Sequence, residues 1–294
     1  MKKLLLGTLG LLALTLAGCS NDQLTTKKSS YRPTALTAVI KGTAKTKRVN
    51  YQVDNQAKKS VAVKGGTYFF QVPTSTTKQS VKISAGNTKK SVTVYPVKSL
   101  GNYKKFAAKY NQMMIASYLP TKTQKQLQQA QKTQATAKKK LAALAQTDPA
   151  AAAVAVQQQQ AAAKKLQAKM ATAKHQAKDE LLPTTAKDGL KNLVDTKYTT
   201  VRANVQDGKL MGLALMTPIK QMKEKTGQKK FGTTFALLGT TLDTEPKTVM
   251  KKFKKVLKDA KKNSSSTTTK TITSKGIKFN TGFSTDTLYI YMTK

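Results

Sequence analysis

The sequence predicts a multidomain protein with an all-β module, an α-helical hairpin and a C-terminal α+β domain whose sheet is mainly antiparallel. Three observations predict it. Apolar and polar residues alternate at period two in residues 31–98, and Ala, Gln and Lys dominate residues 101–182. Residues 187–294 mix strand signals with helical spacing. The predicted order is a leader at 1–18, a flexible tether at 19–30, and then these three units.

The β module is predicted from short strands separated by turn residues such as Gly65-Gly66. The strand candidates are Thr34–Ile40, Arg48–Asp54, Ser60–Val63, Thr67–Val72, Ser80–Ser84 and Ser91–Tyr95. Strands this short and this closely spaced are typical of a small sandwich. The pattern resembles compact immunoglobulin-like or carbohydrate-regulatory-type modules of bacterial surfaces. That resemblance implies a spacer or a module that binds a partner through its loops.

The helical segment opens with an amphipathic stretch that contains Tyr103, Phe106 and Tyr110 and that Pro120 interrupts. Asp148-Pro149, a good N-cap followed by a proline suited to the first helical position, then separates two heptad seams. The seams are Leu127, Ala130, Gln134, Ala137, Leu141 and Leu144, and Ala163, Leu166, Met170, Ala173, Ala177 and Leu181. They predict an antiparallel coiled-coil hairpin. Whether it packs on a neighbouring domain, projects as a spacer, dimerises or grips a partner stays open.

The C-terminal domain is predicted from the two-residue alternation typical of strands and from the spacing of apolar residues typical of helices. Asp207-Gly208 is a strong hairpin signal between strands at Tyr198–Val205 and Leu210–Met216. The remaining predicted elements are a helical turn at Lys187–Val194, a short helix at Pro218–Lys225, a strand within Lys230–Leu242, a helix at Pro246–Lys262, a hairpin of Thr268–Ser274 with Ile277–Asn280, and a strand at Thr287–Met292. The lysine-rich helix Pro246–Lys262 is expected to dock its apolar face on the sheet. The alternative is that it lies on an anionic membrane.

Leu16-Ala17-Gly18-Cys19 is the most specific motif in the sequence. It follows two lysines and an apolar run of about 13 residues, which is short for a membrane span of roughly 20. Cys19 is the only cysteine. The pattern resembles the precursors of bacterial lipoproteins, and the alternative is an ordinary cleaved signal with a chance cysteine. The resemblance implies recognition of Leu16, Ala17 and Gly18 by a signal peptidase, cleavage before Cys19, and a diacylglyceryl anchor on Cys19 at the outer face of the cell membrane.

The charge is strongly positive along the whole chain. There are 53 Lys and Arg against 13 Asp and Glu, for a net charge of +40 that falls to +38 without Lys2 and Lys3. Residues 31–100 hold 13 basic residues and one acid. Such a chain attracts polyanions. Because export keeps it from the genome, the expected partners are phospholipid headgroups or phosphate-bearing wall polymers, and nucleic acid is excluded. The alternative is an ordinary solvated lysine-rich surface.

Catalytic patterns are missing from the sequence. His175 is the only histidine, so neither a histidine metal cluster nor a Ser-His-Asp triad elsewhere is available. We expect no enzyme activity, no cofactor and no metal. The composition and the motif at Cys19 together resemble lysine- and threonine-rich surface lipoproteins of Gram-positive lactic acid bacteria, many of which have no assigned function. The expectation is a non-catalytic role at the cell envelope, binding anionic polymers or a protein. The alternative is a ligand-binding or accessory lipoprotein of a transport or export complex, and an enzyme is the third possibility.

Overall fold

A computed structural model describes residues 24–262 and 271–294, and the side chains of residues 24–255 and 271–294. These residues form five α-helices and three sheets in which nearly all strand pairs are antiparallel. The predicted mixture of β, helical and α+β segments is therefore present. Leu16, Ala17, Gly18 and Cys19 lie outside the described residues, so the lipid anchor stays a prediction.

The N-terminal strands form two sheets that share one core. The strands are β1 (Ser30–Tyr31), β2 (Thr37–Thr43), β3 (Arg48–Val53), β4 (Lys59–Ala62), β5 (Thr67–Pro73), β6 (Gln79–Ala85) and β7 (Thr88–Val94). One sheet has the order β1-β7-β6-β3-β4, and the other pairs β2 with β5. Ile40 and Phe70 from the small sheet pack in the same buried cluster as Val81 and Val92 from the large one. All six predicted strands are present.

The flexible tether predicted for residues 19–30 is wrong for residues 24–30. Leu24 is fully buried in the N-terminal core and pairs with Ala44. The backbone N–H of Lys27 then donates to the Lys41 carbonyl at 2.8 Å, so this segment runs along the free edge of β2. Its polar sequence hides the pairing, because backbone hydrogen bonds need no apolar side chains.

The helices are α1 (Tyr103–Ser117), α2 (Thr121–Thr147) and α3 (Pro149–Ala177), preceded by the two-residue strand β8 (Gly101–Asn102). Asp148 caps α3 as predicted, since its Oδ1 accepts from the Ala151 N–H at 2.9 Å. Lys169, near the end of α3, donates to the Thr123 hydroxyl near the start of α2 at 3.4 Å. The two long helices therefore run side by side in opposite directions.

Helix α1 packs in the C-terminal core. Tyr103, Phe106, Tyr110 and Met114 are buried in the same cluster as the strands that follow residue 189. The Tyr103 hydroxyl also donates to the Pro183 carbonyl at 2.6 Å. The segment predicted as one hairpin, residues 101–182, thus contains a core helix and a helix pair.

The C-terminal sheet has the order β12-β13-β14-β11-β10-β9, with β8 paired to the start of β11. Its strands are β9 (Gly189–Asp195), β10 (Thr200–Gln206), β11 (Lys209–Pro218), β12 (Ile272–Ser274), β13 (Ile277–Phe283) and β14 (Thr287–Thr293), and its helices are α4 (Lys225–Thr241) and α5 (Pro246–Lys262). The short helix predicted for Pro218–Lys225 is only a 3-10 turn at Gln221–Lys223, because Pro218 ends β11 and Lys225 begins α4. Val249 and Phe253 of α5 are buried, which confirms that the apolar face of this helix docks on the core.

Two element predictions in this domain are wrong. Lys187–Val194 contains most of strand β9 and no helical turn. Leu190, Leu193 and Val194 recur at helical spacing in the sequence. In the strand, the register slips from the pair Val201–Val194 to the pair Arg202–Asn192, so a bulge at Leu193 breaks the alternation. In addition, most of Lys230–Leu242 is helix α4 and not a strand.

The strand prediction for α4 failed because Phe231, Thr233, Phe235 and Leu237 alternate at period two. The side chains that are buried are instead Phe231, Phe235 and Leu238, at helical spacing. The Phe235 ring lies 6.2 Å from Phe253 and 6.0 Å from Phe279, centroid to centroid. Contact with this aromatic core decides between two periods that the sequence supports equally.

The two cores meet at a small contact. Asn204 of β10 is fully buried, and its Nδ2 donates to both the carbonyl and the hydroxyl oxygen of Thr74 at 2.8 Å. Beside it, a Cβ added to Gly212 would approach the Leu36 side chain at 2.6 Å. The N-terminal sheets therefore join the C-terminal sheet at the end of β5, opposite to the end at which Leu24 enters.

Candidate anion-binding face

The outer face of the five-stranded sheet carries two rows of polar side chains that cross three adjacent strands. The register aligns Asn50, Ser84 and Lys89 in one row. It aligns Gln52, Lys82 and Ser91 in the next. These residues alternate with the buried Val49, Val53, Val81, Ile83 and Val92, so they point away from the core.

A shallow depression of about 430 Å³ lies over these rows. It is lined by Asn50, Tyr51, Gln52, Lys58, Lys82, Ile83, Ser84, Lys89, Lys90 and Ser91. Tyr51 is half-buried because its ring stacks on Phe70, with centroids 3.9 Å apart and planes within 9°. Burial raises the pKa of the Tyr51 hydroxyl above its ordinary value.

The lining of this depression contains four lysines and no acid. Asp54 is the single acid in residues 31–100, and its Oδ1 accepts from the Ser80 backbone N–H at 2.8 Å, beyond the end of the rows. Within the described part of the chain, Lys58, Lys82 and Lys89 form no ion pair. Exposed ammonium groups interleaved with hydroxyl and amide donors bind phosphate oxygens by charge-assisted hydrogen bonds. We call this surface the anion face.

A second polar cluster connects three elements of the C-terminal core. The Tyr118 hydroxyl donates to Glu180 Oε1 at 2.7 Å and accepts from Lys230 Nζ at 2.6 Å, and Lys230 also pairs directly with Glu180. Burial alone would lower the pKa of Lys230, but hydrogen bonds from its ammonium to Glu180 and Tyr118 outweigh burial and raise it. Because every charge is paired, this cluster serves to fix the end of α3 against α1 and α4.

The candidate residues singled out from the sequence are not brought together. His175 is exposed on α3 between the buried Ala173 and Ala177. Asp179 and Glu180 point in different directions, since Glu180 is buried and Asp179 is exposed. No three His, Cys, Asp or Glu side chains among the described residues are placed to hold a metal ion.

The anion face was missed by the sequence analysis, although a signal for it exists. Lys82, Ser84, Lys89 and Ser91 occupy the polar positions of two alternating strands. Which of these positions lie side by side depends on the strand pairing, which the local pattern does not state.

Comparisons with known proteins give no family. The sequence matches no protein-family model, and a search of curated proteins finds no significant relative. Within residues 24–262 and 271–294, no helix combines the length and the apolar character needed to cross a bilayer.

Proposed function

We propose that this chain is a lipid-anchored protein of the outer face of a bacterial cell membrane, with a non-catalytic role in binding anionic envelope polymers. The anchor is a diacylglyceryl group on Cys19, supported by the motif Leu16-Ala17-Gly18-Cys19 and by the absence of any other cysteine. The observation that carries the binding role is the anion face, where lysines, hydroxyls and amides line one surface without an acid among them.

The finer architecture belongs to the same proposal. The two N-terminal sheets act as a β-sandwich-like module, and α2 with α3 acts as an antiparallel coiled-coil arm. The α+β domain of residues 187–294 incorporates α1. This division is supported by the two separate core clusters and by the opposite directions of α2 and α3.

A phosphate-bearing wall polymer fits the anion face better than nucleic acid does. An exported chain meets wall polymers and lipid headgroups, and both present repeated phosphates. Binding of single-stranded nucleic acid relies on exposed aromatic platforms. Tyr51 is the one aromatic residue that lines the depression, and its ring stacks on Phe70 on the core side of the sheet.

The polymer role is tested with immobilised polyglycerol phosphate and the double variant Lys82→Gln with Lys89→Gln. Removing two charges that face a polyanion costs about 2 kcal/mol, a loss in affinity of about thirtyfold. The matched control is Lys138→Gln with Lys139→Gln on α2, which makes the same change in net charge at an exposed site remote from the face.

Equal losses in the two double variants would show that only net charge matters and would contradict a dedicated face. Binding that survives about 1 M salt would contradict the electrostatic account, because the screening length is then about 3 Å.

The anchor is tested separately by Cys19→Ala in cells. We expect the precursor to stay unprocessed or the protein to be released into the medium, as measured by fractionation and mass spectrometry of the N-terminal peptide. The control is wild type, which should partition with lipid. A wild-type protein whose N-terminal peptide carries no lipid on Cys19 would contradict the anchor.

A second candidate is a ligand-binding or accessory lipoprotein of a transport or export complex. A cleft of about 400 Å³ between the C-terminal sheet and the N-terminal sheets favours it. Lys98, Lys278, Asn280, Tyr291 and Lys294 line this cleft with Thr residues and a few apolar groups. Co-purification of a small anionic solute that is lost in Lys278→Gln, with polymer binding unchanged, would favour this candidate over the first.

A further inference from the structure

We infer that the outer face of the β2–β5 sheet rests on the anionic lipid bilayer, with Phe69 inserted at the level of the headgroups. This inference rests on the proposed lipid anchor at Cys19. It adds to that anchor a defined protein surface and an orientation of the first folded module.

The argument begins with the short chain between the anchor and the fold. Leu24 is fully buried, and the Thr25 hydroxyl lies 2.7 Å from the Thr43 hydroxyl, so Leu24 already belongs to the folded module. Only residues 20–23 separate Cys19 from it. Five residue steps of an extended chain span at most about 17 Å. A lipid on Cys19 therefore holds this end of the module close to the bilayer.

The surface at this end is both apolar and basic. Val39 and Phe69 are 40% and 64% exposed, although their neighbours in β2 and β5 alternate into the core. Lys41 is paired directly opposite Phe69, and Lys27 lies beside Lys41 on the added edge segment. An exposed aromatic ring flanked by lysines is the composition of surfaces that lie in a membrane interface. We call these four residues the outer β2–β5 face.

The anchor and this face are within reach of each other. Phe69 is two positions from the Thr43–Thr67 pair at which the chain enters. Strands lie about 4.8 Å apart, so Phe69 is about 12 Å from Thr25, which is less than the reach of the linker.

The charge at this end complements an anionic bilayer. Lys45, Lys47 and Lys64 are exposed in the turns at the same end of the sheet. Between residues 20 and 98 the acids are Asp22 in the linker and Asp54, which follows β3 in the other sheet, against six lysines on the face and in the turns and linker segment (27, 28, 41, 45, 47 and 64). Each lysine near an anionic membrane surface contributes about 1 kcal/mol, so the face and the turns together favour contact.

This orientation also gives the anion face a direction. The two sheets share one core, so their outer faces point to opposite sides of the module. With the outer β2–β5 face on the bilayer, the anion face turns away from the lipid and toward the wall.

The test uses the mature chain, residues 19–294, coupled through its single thiol at Cys19 to a maleimide lipid in equimolar phosphatidylglycerol and phosphatidylcholine vesicles. The protein contains no tryptophan, so Phe69→Trp and Ser91→Trp each introduce one reporter, at exposed positions on opposite faces. Insertion of about 5–10 Å should make quenching of Phe69→Trp by brominated lipid at least about twofold stronger than quenching of Ser91→Trp. Val39→Trp provides a second reporter on the same face if Phe69→Trp unfolds.

Equal quenching of both reporters, no quenching, or stronger quenching of Ser91→Trp would overturn the inference. The chemical coupling makes this result independent of processing in cells. If the vesicle test is negative but Cys19 is lipidated in cells, the proposed membrane contact is wrong and the proposed anchor still holds. If Cys19 carries no lipid in cells, the proposed anchor is wrong instead.

Discussion

At the scale of single residues, Gly42 determines where the N-terminal segment runs. The Tyr68 hydroxyl donates to the Thr25 carbonyl at 2.7 Å directly over Gly42. A Cβ at position 42 would overlap the Thr25 oxygen and approach the Tyr68 hydroxyl at 2.5 Å. This hydrogen bond, which adds to the backbone bonds between residues 24–27 and β2, therefore requires glycine at position 42.

We expect Gly42→Ala to lower the free energy of unfolding by about 1–3 kcal/mol, because backbone must move to admit the methyl group. Gly232→Ala is the matched control. A methyl group at Gly232, which lies within α4, would meet no other atom within 4 Å. That change should stabilise the protein by about 0.5–1 kcal/mol. Urea unfolding measures both, and equal effects of the two changes would contradict this role of Gly42.

At the scale of elements, the helices differ in how firmly they are held. Helix α4 buries seven of its 17 residues, whereas α2 buries only Thr123 among 27. The seam residues Leu127, Leu141 and Leu144 of α2 are half-buried, and Ala130, Gln134 and Ala137 are exposed. The heptad pattern is present in the sequence, but it buries little surface within this chain.

The prediction at this scale concerns hydrogen exchange. Amides in the middle of α2 should exchange at least about tenfold faster than amides in the middle of α4, because local opening of α2 exposes little apolar surface. Mass spectrometry of peptic peptides measures both helices in one experiment, so α4 is the internal control. Protection of α2 equal to that of α4 in the monomeric protein would contradict the prediction.

Elements also show where sequence-based prediction succeeded and failed. The six predicted strands of the N-terminal module, β2–β7, and the Asp148 cap follow from period and local chemistry. Phe231 and Phe235 fit a strand and a helix alike, and only contact with Phe253 and Phe279 selects the helix. Leu193 and Val194 suggested a helical turn because a bulge breaks the apolar–polar alternation of β9. These errors arise where local period and long-range packing disagree.

At the scale of the whole molecule, Asn204 couples the two cores. Its amide satisfies the carbonyl and the hydroxyl of Thr74 within a buried contact. Since Asn204 is in the C-terminal sheet and Thr74 directly follows β5, these two bonds join the N-terminal sheets to the domain.

We expect Asn204→Ala to lower the free energy of unfolding by about 1–3 kcal/mol, since it leaves buried acceptors without a donor. It should also separate the melting of the two cores in calorimetry. Asn192→Ala is the control, because Asn192 is an exposed asparagine on β9 of the same sheet. An unchanged single transition in Asn204→Ala would show that the two cores are coupled through other contacts.

The sequence by itself determined the order of β, helical and α+β segments, the high positive charge and the predicted anchor at Cys19. Each depends on residues close together in the chain or on composition. Only the tertiary structure decided that Leu24 belongs to the N-terminal core, that α1 belongs to the C-terminal core, and that Lys82 and Lys89 share one face. The reason is physical: strand pairing and core packing join residues far apart in the chain, and a local period is compatible with several such pairings.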